Sequence, residues 1–509
     1  MTHFTTLAGM IAQQAPDAIA LTAPGGGAPL DYGALHALVL RTADALNRLG
    51  IGRGDRVGIV LPNGPEMACA FVAVASACTA APLNMAYRAD EFEFYLGDLH
   101  AKALIVAQGS DSPALAVARS MGIRVLQLQS QPAQGAGQFC LLADDAAPWA
   151  PANGGLAHAD DTALILHTSG TTSRPKIVPL SHRNVCASAR NISTTLRLTA
   201  ADRELHVMPL FHIHGLIAGL LAPMAVGSQI FCTPGFNALK FFGWMKECRP
   251  TWYTAVPTMH QAILSRAAGN RDVIDAHPLR FIRSSSSSMP PQVIAELESV
   301  FGAPLIESYG MTEAAHQMAS SPLPPARRVP GSVGLAAGPE IAIMDPAGAL
   351  LAAGMTGEIV IRGDNITAGY ENNPAANAEA FVNGWFRTGD QGVLDADGYL
   401  SLTGRLKEII NRGGEKVSPR EVDEVLMDHP AVAQVVTFGM PHAKLGEEVA
   451  AAVVLREGQQ VTERELRDFV ATRLADFKVP KKLLFMAEIP KGATGKLQRI
   501  GLAAKLGLG

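Results

Sequence analysis

The chain has 509 residues, 48% of them hydrophobic and 17% charged, and its net charge at pH 7 is −4. An apolar fraction of this size can form large cores, which excludes a disordered or collagen-like chain. Because there is no basic excess, the composition also argues against a nucleic-acid-binding protein and against binding to an anionic membrane surface.

The cysteines and the first residues bear on the cellular compartment. Six cysteines occur, without a C-x-x-C pair: Cys69, Cys78, Cys140, Cys186, Cys232 and Cys248. This pattern is typical of reduced thiols and not of a zinc site or a disulfide framework. The opening Met-Thr-His-Phe lacks the basic and long apolar segments of a signal peptide. We therefore expect a cytoplasmic protein.

Strand and helix patterns alternate through the first part of the chain. Strands are predicted at Arg56 to Leu61, Ala103 to Ala107, Val125 to Leu128, Thr162 to His167, Leu205 to Met208, Gln229 to Cys232, Trp252 to Val256, Leu279 to Ile282 and Leu305 to Ser308. Helices are predicted at Pro65 to Cys78 and Ala114 to Met121, and other helical segments lie between most strands. Such alternation predicts parallel or mixed sheets covered by helices.

Two uncharged stretches, Met67 to Tyr87 and Leu205 to Leu239, are long enough to be considered as membrane spans. Both are interrupted by prolines and polar residues, whereas membrane spans are richer in Leu, Ile and Phe. We therefore expect both stretches to be buried elements of an α/β core.

The pattern changes after about Pro330. Short strands at Ile341 to Met344, Gly357 to Arg362 and Gly398 to Leu402 predict a small β-rich region. Residues 406–509 carry 16 Lys+Arg against 14 Asp+Glu, a net charge of +2, which leaves 26 against 32, a net −6, for the remainder. We predict an N-terminal domain of residues 1–405, with a β-rich subdomain at about 331–405, and a small α+β domain of residues 406–509.

The most distinctive local pattern is L-I-L-H-T-S-G-T-T-S-R-P-K, from Leu164 to Lys176. A buried strand leads into a loop of hydroxyls, glycine and one lysine, and a helix begins near Ser181. Backbone N–H groups and hydroxyls of such a loop can surround phosphate oxygens, to which Lys176 adds positive charge. The Walker pattern is absent. The alternative is an ordinary Ser/Thr-rich turn.

Five further motifs follow: Tyr309-Gly-Met-Thr-Glu313, Gly384-Trp-Phe-Arg-Thr-Gly-Asp390, Gly404-Arg-Leu-Lys-Glu408, Arg412-Gly-Gly-Glu-Lys-Val-Ser-Pro419 and Pro490-Lys-Gly-Ala-Thr-Gly-Lys496. Together with the loop, they resemble the core motifs of the acyl-adenylate-forming (AMP-binding) superfamily in order and separation. The resemblance covers nearly the whole chain. It implies an α/β fold with a large N-terminal domain, a small mobile C-terminal domain, and activation of a carboxylic acid by ATP.

The resemblance also implies a role for each matched residue. Contacts to ATP or AMP are implied for Thr168, Ser169, Gly170, Thr171, Thr172, Lys176, Ser286, Ser287, Glu307, Ser308, Tyr309, Thr312, Asp390 and Arg405. Lys496 is implied as the catalytic lysine, together with Thr312 and Glu313. Glu313 is also the implied Mg²⁺ ligand, since a hard cation prefers carboxylate oxygen. The alternatives are an Asx turn for Asp390 and a helix N-terminal acid for Glu313.

Two more positions are implied to serve the second step of the reaction. Lys407 matches the hinge about which the C-terminal domain of the superfamily rotates. Gly414 matches the residue whose backbone lines the tunnel for coenzyme A, and its Gly-Gly context suits a close backbone approach.

The residues implied to face the acid are His214, Ser285, Ser287 and His316. Hydroxyls and two histidines suit a very small, doubly charged acid better than a fatty tail. The segment from Glu307 to Met318 is similar to the branch of the superfamily that activates oxalate. The alternatives are a structural histidine at His214 and a polar strand end for the serine run.

These observations predict an ATP-dependent, AMP-forming ligase that joins a small carboxylic acid, oxalate by this resemblance, to coenzyme A in the presence of Mg²⁺. Malonyl-, short-chain and aryl-CoA synthetases and a carrier-protein-loading adenylation domain are the alternatives within the enzyme class. A nucleotide-binding sensor without catalytic activity is the alternative from another class. The expected partners are the acid, ATP and CoA, without nucleic acid or membrane, and the sequence leaves the oligomeric state open.

Overall fold

The protein is described by a computed structural model that covers residues 4–143, 154–168, 175–490 and 499–508. The strands in these ranges are β1 (Ile19–Thr22), β2 (Leu30–Asp31), β3 (Arg56–Val60), β4 (Thr79–Pro82), β5 (Ala103–Ala107), β6 (Arg124–Ser130), β7 (Phe139–Ala143), β8 (Thr162–Thr168), β9 (Lys176–Ser181), β10 (Arg203–His206), β11 (Gln229–Cys232), β12 (Trp252–Ala255), β13 (Phe281–Ser284), β14 (Leu305–Met311), β15 (His316–Ser320), β16 (Leu335–Ala336), β17 (Glu340–Met344), β18 (Thr356–Arg362), β19 (Phe381–Val382), β20 (Trp385–Leu394), β21 (Leu400–Arg405), β22 (Ile410–Arg412), β23 (Glu415–Val417), β24 (Val432–His442), β25 (Gly446–Leu455) and β26 (Lys482–Phe485).

The α-helices are α1 (Leu7–Ala12), α2 (Tyr32–Arg48), α3 (Pro65–Ala75), α4 (Ala89–Asp98), α5 (Pro113–Ser120), α6 (His182–Thr195), α7 (Ala222–Met224), α8 (Phe241–Cys248), α9 (Pro257–Ala267), α10 (Arg271–Ala276), α11 (Pro291–Phe301), α12 (Pro374–Ala380), α13 (Pro419–Met427), α14 (Glu463–Ala471) and α15 (Leu502–Lys505). A π-helix spans His214–Leu221, and 3₁₀ turns span Pro132–Gln134, Ala268–Asn270, Thr312–Ala314 and Asp476–Lys478.

Two large sheets form the body of the molecule. The first has seven strands in the order β7-β6-β5-β3-β4-β8-β9, with a parallel centre and antiparallel strands at both edges. The second has nine strands in the order β16-β15-β14-β13-β12-β10-β11-β1-β2, again with a parallel centre. Its completion joins distant parts of the chain, since Leu21 of β1 pairs with Ile230 of β11.

The core between these sheets is formed by apolar helices. Every residue of α3 from Met67 to Ala75 is buried, and so is the whole π-helix. One continuous hydrophobic cluster contains residues of both sheets and of α1, α2, α3 and α6. The two uncharged stretches are therefore core elements, as predicted. Within the described ranges, no helix is both long and apolar enough to cross a membrane.

Two smaller sheets follow. The third runs β17-β18-β20-β19, with β21 added against β20, and is antiparallel throughout. The fourth runs β23-β22-β25-β24, with β26 parallel to β25, and has its own hydrophobic cluster, which includes α13 and α14. Since β21 ends at Arg405 and β22 starts at Ile410, the predicted boundary falls between the third and fourth sheets. It stays a prediction.

The strands predicted from the sequence are confirmed, and those at Ala103–Ala107 and Gln229–Cys232 have the predicted bounds. Other strands were not predicted; they include β1, β2, β4, β7, β9, β15, β16 and the strands of the fourth sheet. The loop after β8 does not lead directly into a helix, because β9 pairs back antiparallel to β8 before the helix begins. The helix start is confirmed: Ser181 caps α6, and its hydroxyl accepts a hydrogen bond from the backbone N–H of Asn184 at 3.2 Å. All six cysteines are free thiols.

Candidate active site

The predicted phosphate loop lies in sequence between β8 and β9, which pair antiparallel. Thr168, the last residue of β8, pairs with Lys176, the first residue of β9, so the hairpin holds both ends of the loop together. Of the residues implied to bind phosphate, Ser169, Gly170, Thr171 and Thr172 lie outside the described ranges. The Nζ atom of Lys176 lies 4.3 Å from the ring centroid of Tyr370.

Glu313 is a buried carboxylate on the 3₁₀ turn Thr312–Ala314, which contacts β9. Glu313 is only 5% exposed, and the hydroxyl of Tyr370 donates a 2.8 Å hydrogen bond to its Oε1 atom. Burial raises the pKa of Glu313. Among the described residues, no lysine or arginine forms a salt bridge with it. A buried carboxylate that is not paired with a described lysine or arginine fits the single protein ligand that Mg²⁺ would use when phosphates and water complete its shell.

Asp390 lies in β20, and both of its oxygens are hydrogen-bonded. The hydroxyl of Tyr309 donates to Oδ2 at 2.6 Å, and Nε of Arg405 donates to Oδ1 at 2.8 Å. Burial, followed by the negative charge of Asp390, raises the pKa of Tyr309, so the phenol stays a neutral donor. Each carboxylate oxygen can accept a second hydrogen bond, which leaves capacity for ribose hydroxyls. The structure thus brings together three residues that the sequence assigned to nucleotide binding.

The acid half of the site is built around two stacked histidines. His214 is the first residue of the π-helix and His316 is the first residue of β15, and both are buried. Their ring centroids are 4.9 Å apart, with 29° between the ring planes. His316 has a backbone φ of +97°, a conformation that L-residues rarely adopt. Strained backbone of this kind is concentrated at functional sites.

His214 is hydrogen-bonded at both ring nitrogens. Its Nδ1 atom lies 3.0 Å from Oγ of Ser286, and its Nε2 atom lies 2.7 Å from Oγ1 of Thr254. Burial, followed by the neighbouring His316 and Arg283, lowers the pKa of His214 well below its usual range. The imidazole is therefore neutral at pH 7, which makes it a hydrogen-bond donor and acceptor but not a cation.

The serine run divides into buried and exposed hydroxyls. Ser285 is buried, and its hydroxyl donates a 2.8 Å hydrogen bond to the carbonyl oxygen of Ser308. Ser286 and Ser287 are exposed, and Ser286 has a backbone φ of +73° that turns the chain out of β13. Of the three, Ser286 is the serine that contacts a histidine of the acid half.

Two further residues were missed by the sequence analysis. Tyr370, described above, has no motif that singles it out. Arg283 is completely buried next to both histidines, with its Nη2 atom 2.5 Å from Oγ of Ser308 and 3.2 Å from Oε1 of Gln317. An available signal was the arginine within an otherwise apolar strand, directly before five serines.

The remaining predicted residues lie around these two halves. Glu307 precedes Ser308 in β14, and burial raises its pKa to about 7. Lys407 is exposed in the turn between β21 and β22. Gly413 and Gly414 form the turn between β22 and β23 with φ values of +58° and +98°, which glycine adopts without strain. Lys496 lies outside the described ranges.

Comparison with known families and curated proteins gives matches along the whole chain. The family described as AMP-binding enzyme matches residues 10–371, and the AMP-binding enzyme C-terminal domain matches residues 421–496. An oxalate–CoA ligase from Arabidopsis thaliana is 46% identical over 502 residues, which is 97% of each chain. An oxalate–CoA ligase from Saccharomyces cerevisiae is 42% identical, over 88% of this chain and 86% of the relative. A sulfoacetate–CoA ligase from Cupriavidus necator is 35% identical, over 98% and 97%.

Solved structures match over a similar length. ATP-bound MatB from Rhodopseudomonas palustris has a TM-score of 0.86 and 28% identity, with 99% of each chain covered. The o-succinylbenzoate CoA synthetase MenE from Bacillus subtilis, in complex with ATP and a magnesium ion, has a TM-score of 0.82 and 28% identity over 98% of this chain and 99% of MenE. The predicted combination of a large N-terminal α/β part with a small C-terminal part is confirmed.

Proposed function

Because the chain belongs to the family of AMP-binding enzymes, we propose that it is an oxalate–CoA ligase. It is an ATP-dependent, AMP-forming acid–thiol ligase that uses Mg²⁺ and coenzyme A. The choice of oxalate rests on one observation above all: the acid half of the site is a buried polar cluster, with His214 and His316 stacked beside Arg283. A fatty tail would need an apolar lining instead. The names of the relatives agree, since oxalate and sulfoacetate each carry a second anionic group.

The first half-reaction activates the acid. One carboxylate oxygen of oxalate attacks the α-phosphorus of ATP, the bond from that phosphorus to the bridging oxygen breaks, and pyrophosphate leaves. Both reactants are anionic, so cationic side chains must offset their repulsion. Lys176 at the phosphate loop and Lys496 are the residues we assign to this task. Glu313 would hold Mg²⁺, which neutralises charge on the phosphates.

Several residues hold the nucleotide during this step. Asp390 accepts hydrogen bonds from the ribose hydroxyls. Arg405 and Tyr309 keep its carboxylate in place through their own hydrogen bonds. A carboxylate fixed by two donors has lost its rotational freedom before ATP arrives, which lowers the entropic cost of binding. Thr168, Glu307 and Thr312, with the rest of the loop, complete the proposed nucleotide contacts.

The second half-reaction transfers the acyl group. The thiol of coenzyme A loses its proton and attacks the activated carbonyl carbon, and AMP leaves with the electron pair of the broken C–O bond. We infer that residues 406–509 rotate between the two steps about Lys407. Gly414 then lines the path of the pantetheine. This division at residue 405, with a β-rich subdomain at about 331–405, is part of the proposal.

We also infer a cytoplasmic location. All six cysteines are free thiols, and burial raises the pKa of Cys69, Cys78, Cys186, Cys232 and Cys248. Free thiols are the normal state in a reducing compartment, whereas secreted proteins use cysteine mainly in disulfides. Fractionation of cells that express the tagged chain tests this point.

A substrate panel tests the proposed activity. Pyrophosphate release is measured with ATP, Mg²⁺ and coenzyme A in the presence of oxalate, malonate, butyrate or benzoate, and the thioester product is identified by mass. We expect the highest kcat/KM for oxalate. A higher value for malonate, butyrate or benzoate would assign the chain to the malonyl, short-chain or aryl branch. If the chain binds ATP but releases no pyrophosphate with any of the four acids, the result would support a nucleotide sensor.

A further inference from the structure

Arg283 is a buried cation, and none of the described residues supplies an anionic partner for it. Its side chain is completely buried in β13. None of its hydrogen-bond partners in the described part of the chain is an acidic residue: they are His214, Thr254, Ser308, His316 and Gln317. Burial lowers its pKa to about 9, so it remains charged at pH 7. An uncompensated buried charge is strongly unfavourable. An anion that binds in this site would neutralise the charge and so lower its cost.

The guanidinium also determines which ring nitrogens carry the protons. Its Nη1 atom lies 3.3 Å from Nε2 of His316 and 3.4 Å from Nε2 of His214. A guanidinium can only donate hydrogen bonds, and we assign the two hydrogens of Nη1 to Nε2 of His316 and to Oγ1 of Thr254. The hydroxyl proton of Thr254 is then assigned to Nε2 of His214, so both Nε2 atoms are unprotonated acceptors. The proton of each neutral imidazole is therefore on Nδ1. A second proton on the His214 ring is disfavoured by burial and by the adjacent positive charge.

Thr254 strengthens this assignment for His214. Nη1 of Arg283 lies 3.4 Å from Oγ1 of Thr254, which accepts from it. The threonine hydroxyl proton is then directed at Nε2 of His214, 2.7 Å away. Nε2 of His214 thus accepts from Thr254, and the Nδ1–H group of His214 points outward to Ser286, which is exposed. The hydrogen bonds run in one direction, from the buried cation to the mouth of the site.

We propose that Arg283 is the positioning residue that makes this site selective for small dianionic acids: it fixes His316 as an Nδ1–H donor to the second carboxylate and His214 as an Nδ1–H donor to Ser286, whose hydroxyl donates to that carboxylate in turn. The second carboxylate supplies the missing counter-charge. This inference rests on the proposed function, because it concerns the same acid half of the site. Acetate, which has a methyl group in place of the second carboxylate, leaves the cation uncompensated. Arg283 acts through the two imidazoles and does not itself contact the reacting carboxylate.

The kinetic experiment compares oxalate with acetate in three variants of the full-length enzyme. Arg283→Met removes the charge but keeps a long side chain, and Arg283→Lys restores a cation. Arg280→Met makes the same chemical change three residues earlier, where the guanidinium pairs with Asp202. Initial rates of pyrophosphate release give kcat and KM for each acid.

We expect Arg283→Met to lower kcat/KM for oxalate about 100-fold, mainly through KM, because the donors to the second carboxylate are no longer fixed and its counter-charge is lost. The value for acetate should change less than about threefold, since acetate has no second carboxylate to lose a contact. Arg283→Lys should recover part of the oxalate activity, and Arg280→Met should leave the oxalate-to-acetate ratio unchanged. An equal loss for both acids in Arg283→Met would reduce Arg283 to a structural residue and overturn the inference.

A second measurement does not depend on the folding of any variant at position 283. Long-range ¹⁵N–¹H correlation spectra of the histidine rings distinguish Nδ1–H, Nε2–H and doubly protonated imidazoles. His214→Asn and His316→Asn assign the two signals in the wild-type spectrum. We expect both rings to be neutral Nδ1–H tautomers at pH 7. An Nε2–H or a cationic ring at either position would contradict the inference.

The two proposals can fail separately. A wild-type enzyme that does not prefer oxalate to acetate contradicts the proposed substrate. The ring tautomers of His214 and His316, measured by the ¹⁵N–¹H spectra, still test the role of Arg283. If malonate is the preferred acid, the same variants are compared with malonate and propionate, and the expected change in the ratio is the same. A preference for oxalate that survives in Arg283→Met contradicts only the further inference.

Discussion

At the scale of single residues, His316 combines a strained backbone with a buried polar side chain. Its φ of +97° follows Ala315 at +46°, so two consecutive L-residues lie in the left-handed region. Each costs of order 1–3 kcal/mol, and the fold retains both. A position that needed only to be filled could be occupied by glycine at lower cost. The imidazole retained on this strained backbone is consistent with the proposed role of His316 in the acid half of the site.

Replacement of this side chain should change the choice of acid. We expect His316→Ala to lower kcat/KM for oxalate about ten- to a hundredfold, since a buried donor to a carboxylate contributes about 1.5–3 kcal/mol. The vacated volume should also admit longer acids such as malonate or butyrate. The measurement is kcat/KM for oxalate, malonate and butyrate with both proteins.

A glycine variant separates packing from specificity. His316→Gly removes the same imidazole but relieves the backbone strain. If His316 is a packing residue, both variants lose stability and the ratio of oxalate to longer acids stays constant. That result would remove His316 from the acid site and leave the ligase activity untouched.

At the scale of elements, the β14–β15 hairpin holds Glu313, His316 and Ser308 in register. The pairing shifts between Tyr309 and Gly310, where the two strands approach closely. A Cβ atom on Gly310 would lie 1.6 Å from the carbonyl oxygen of His316, a distance that no rotation can relieve because the oxygen belongs to the backbone. The glycine is therefore required by the position of His316.

Gly310→Ala should push β15 away from β14. We expect a loss of about 1–3 kcal/mol in the free energy of unfolding, as for other overpacked cores, and a larger fall in oxalate activity than in nucleotide binding. Gly243→Ala is the matched control, because it lies in α8 and its added Cβ would meet nothing within 4 Å. The control should be stabilised by about 0.5–1 kcal/mol. Equal unfolding curves for wild type and Gly310→Ala would contradict this account.

The sequence predicts elements better than it predicts contacts. β5 and β11 were located correctly because a short apolar run bounded by polar residues is a local signal. β9 was missed because Lys176–Ser181 contains a proline and is a strand only through its pairing with β8. Arg283 was missed for a similar reason: arginine is normally exposed, and only the packing of β12, β14 and β15 around it makes it a buried cation.

At the scale of the whole molecule, the turn at Lys407 connects the third sheet to the fourth. Lys407→Pro fixes φ of this residue and restricts the residue before it, so a hinge that changes its dihedrals would stay in one state. We expect near-normal formation of acyl-AMP and slow transfer to coenzyme A. The two half-reactions are measured separately by pyrophosphate release and by thioester formation from supplied oxalyl-AMP. Lys407→Ala is the control. If the Lys407→Pro enzyme completes both steps at the normal rate, the hinge is not at Lys407.

The pH dependence of global stability should show the burial of His182. This residue joins α6 to α1, because the backbone N–H of Leu7 donates a 3.2 Å hydrogen bond to its Nδ1 atom. Burial lowers the pKa of His182 from the usual 6.5 to about 4. A base with a lower pKa in the folded state binds fewer protons there. Its contribution to stability is therefore present above pH 6.5 and is lost as the pH falls towards 4.

The variant His182→Asn keeps an acceptor for Leu7 but does not titrate. We expect the difference in the free energy of unfolding between pH 8 and pH 5 to change by about 2 kcal/mol relative to wild type. The wild type should be the protein that loses more stability, or gains less, on acidification. Urea unfolding of both proteins at the two pH values is the measurement. Parallel pH profiles would mean that His182 is not buried as a neutral base.

The pairing of β1 with β11 has a consequence for synthesis on the ribosome. The two strands are about 200 residues apart, so at about 5–20 residues per second β11 emerges some 10–40 s after β1. In that interval β1 can pair only with β2, and a two-stranded hairpin is marginally stable. β3 to β7 lie within a much shorter length of chain and can assemble first. The nascent chain therefore carries an incomplete strand pair at its N-terminal end until nearly half of it has been translated.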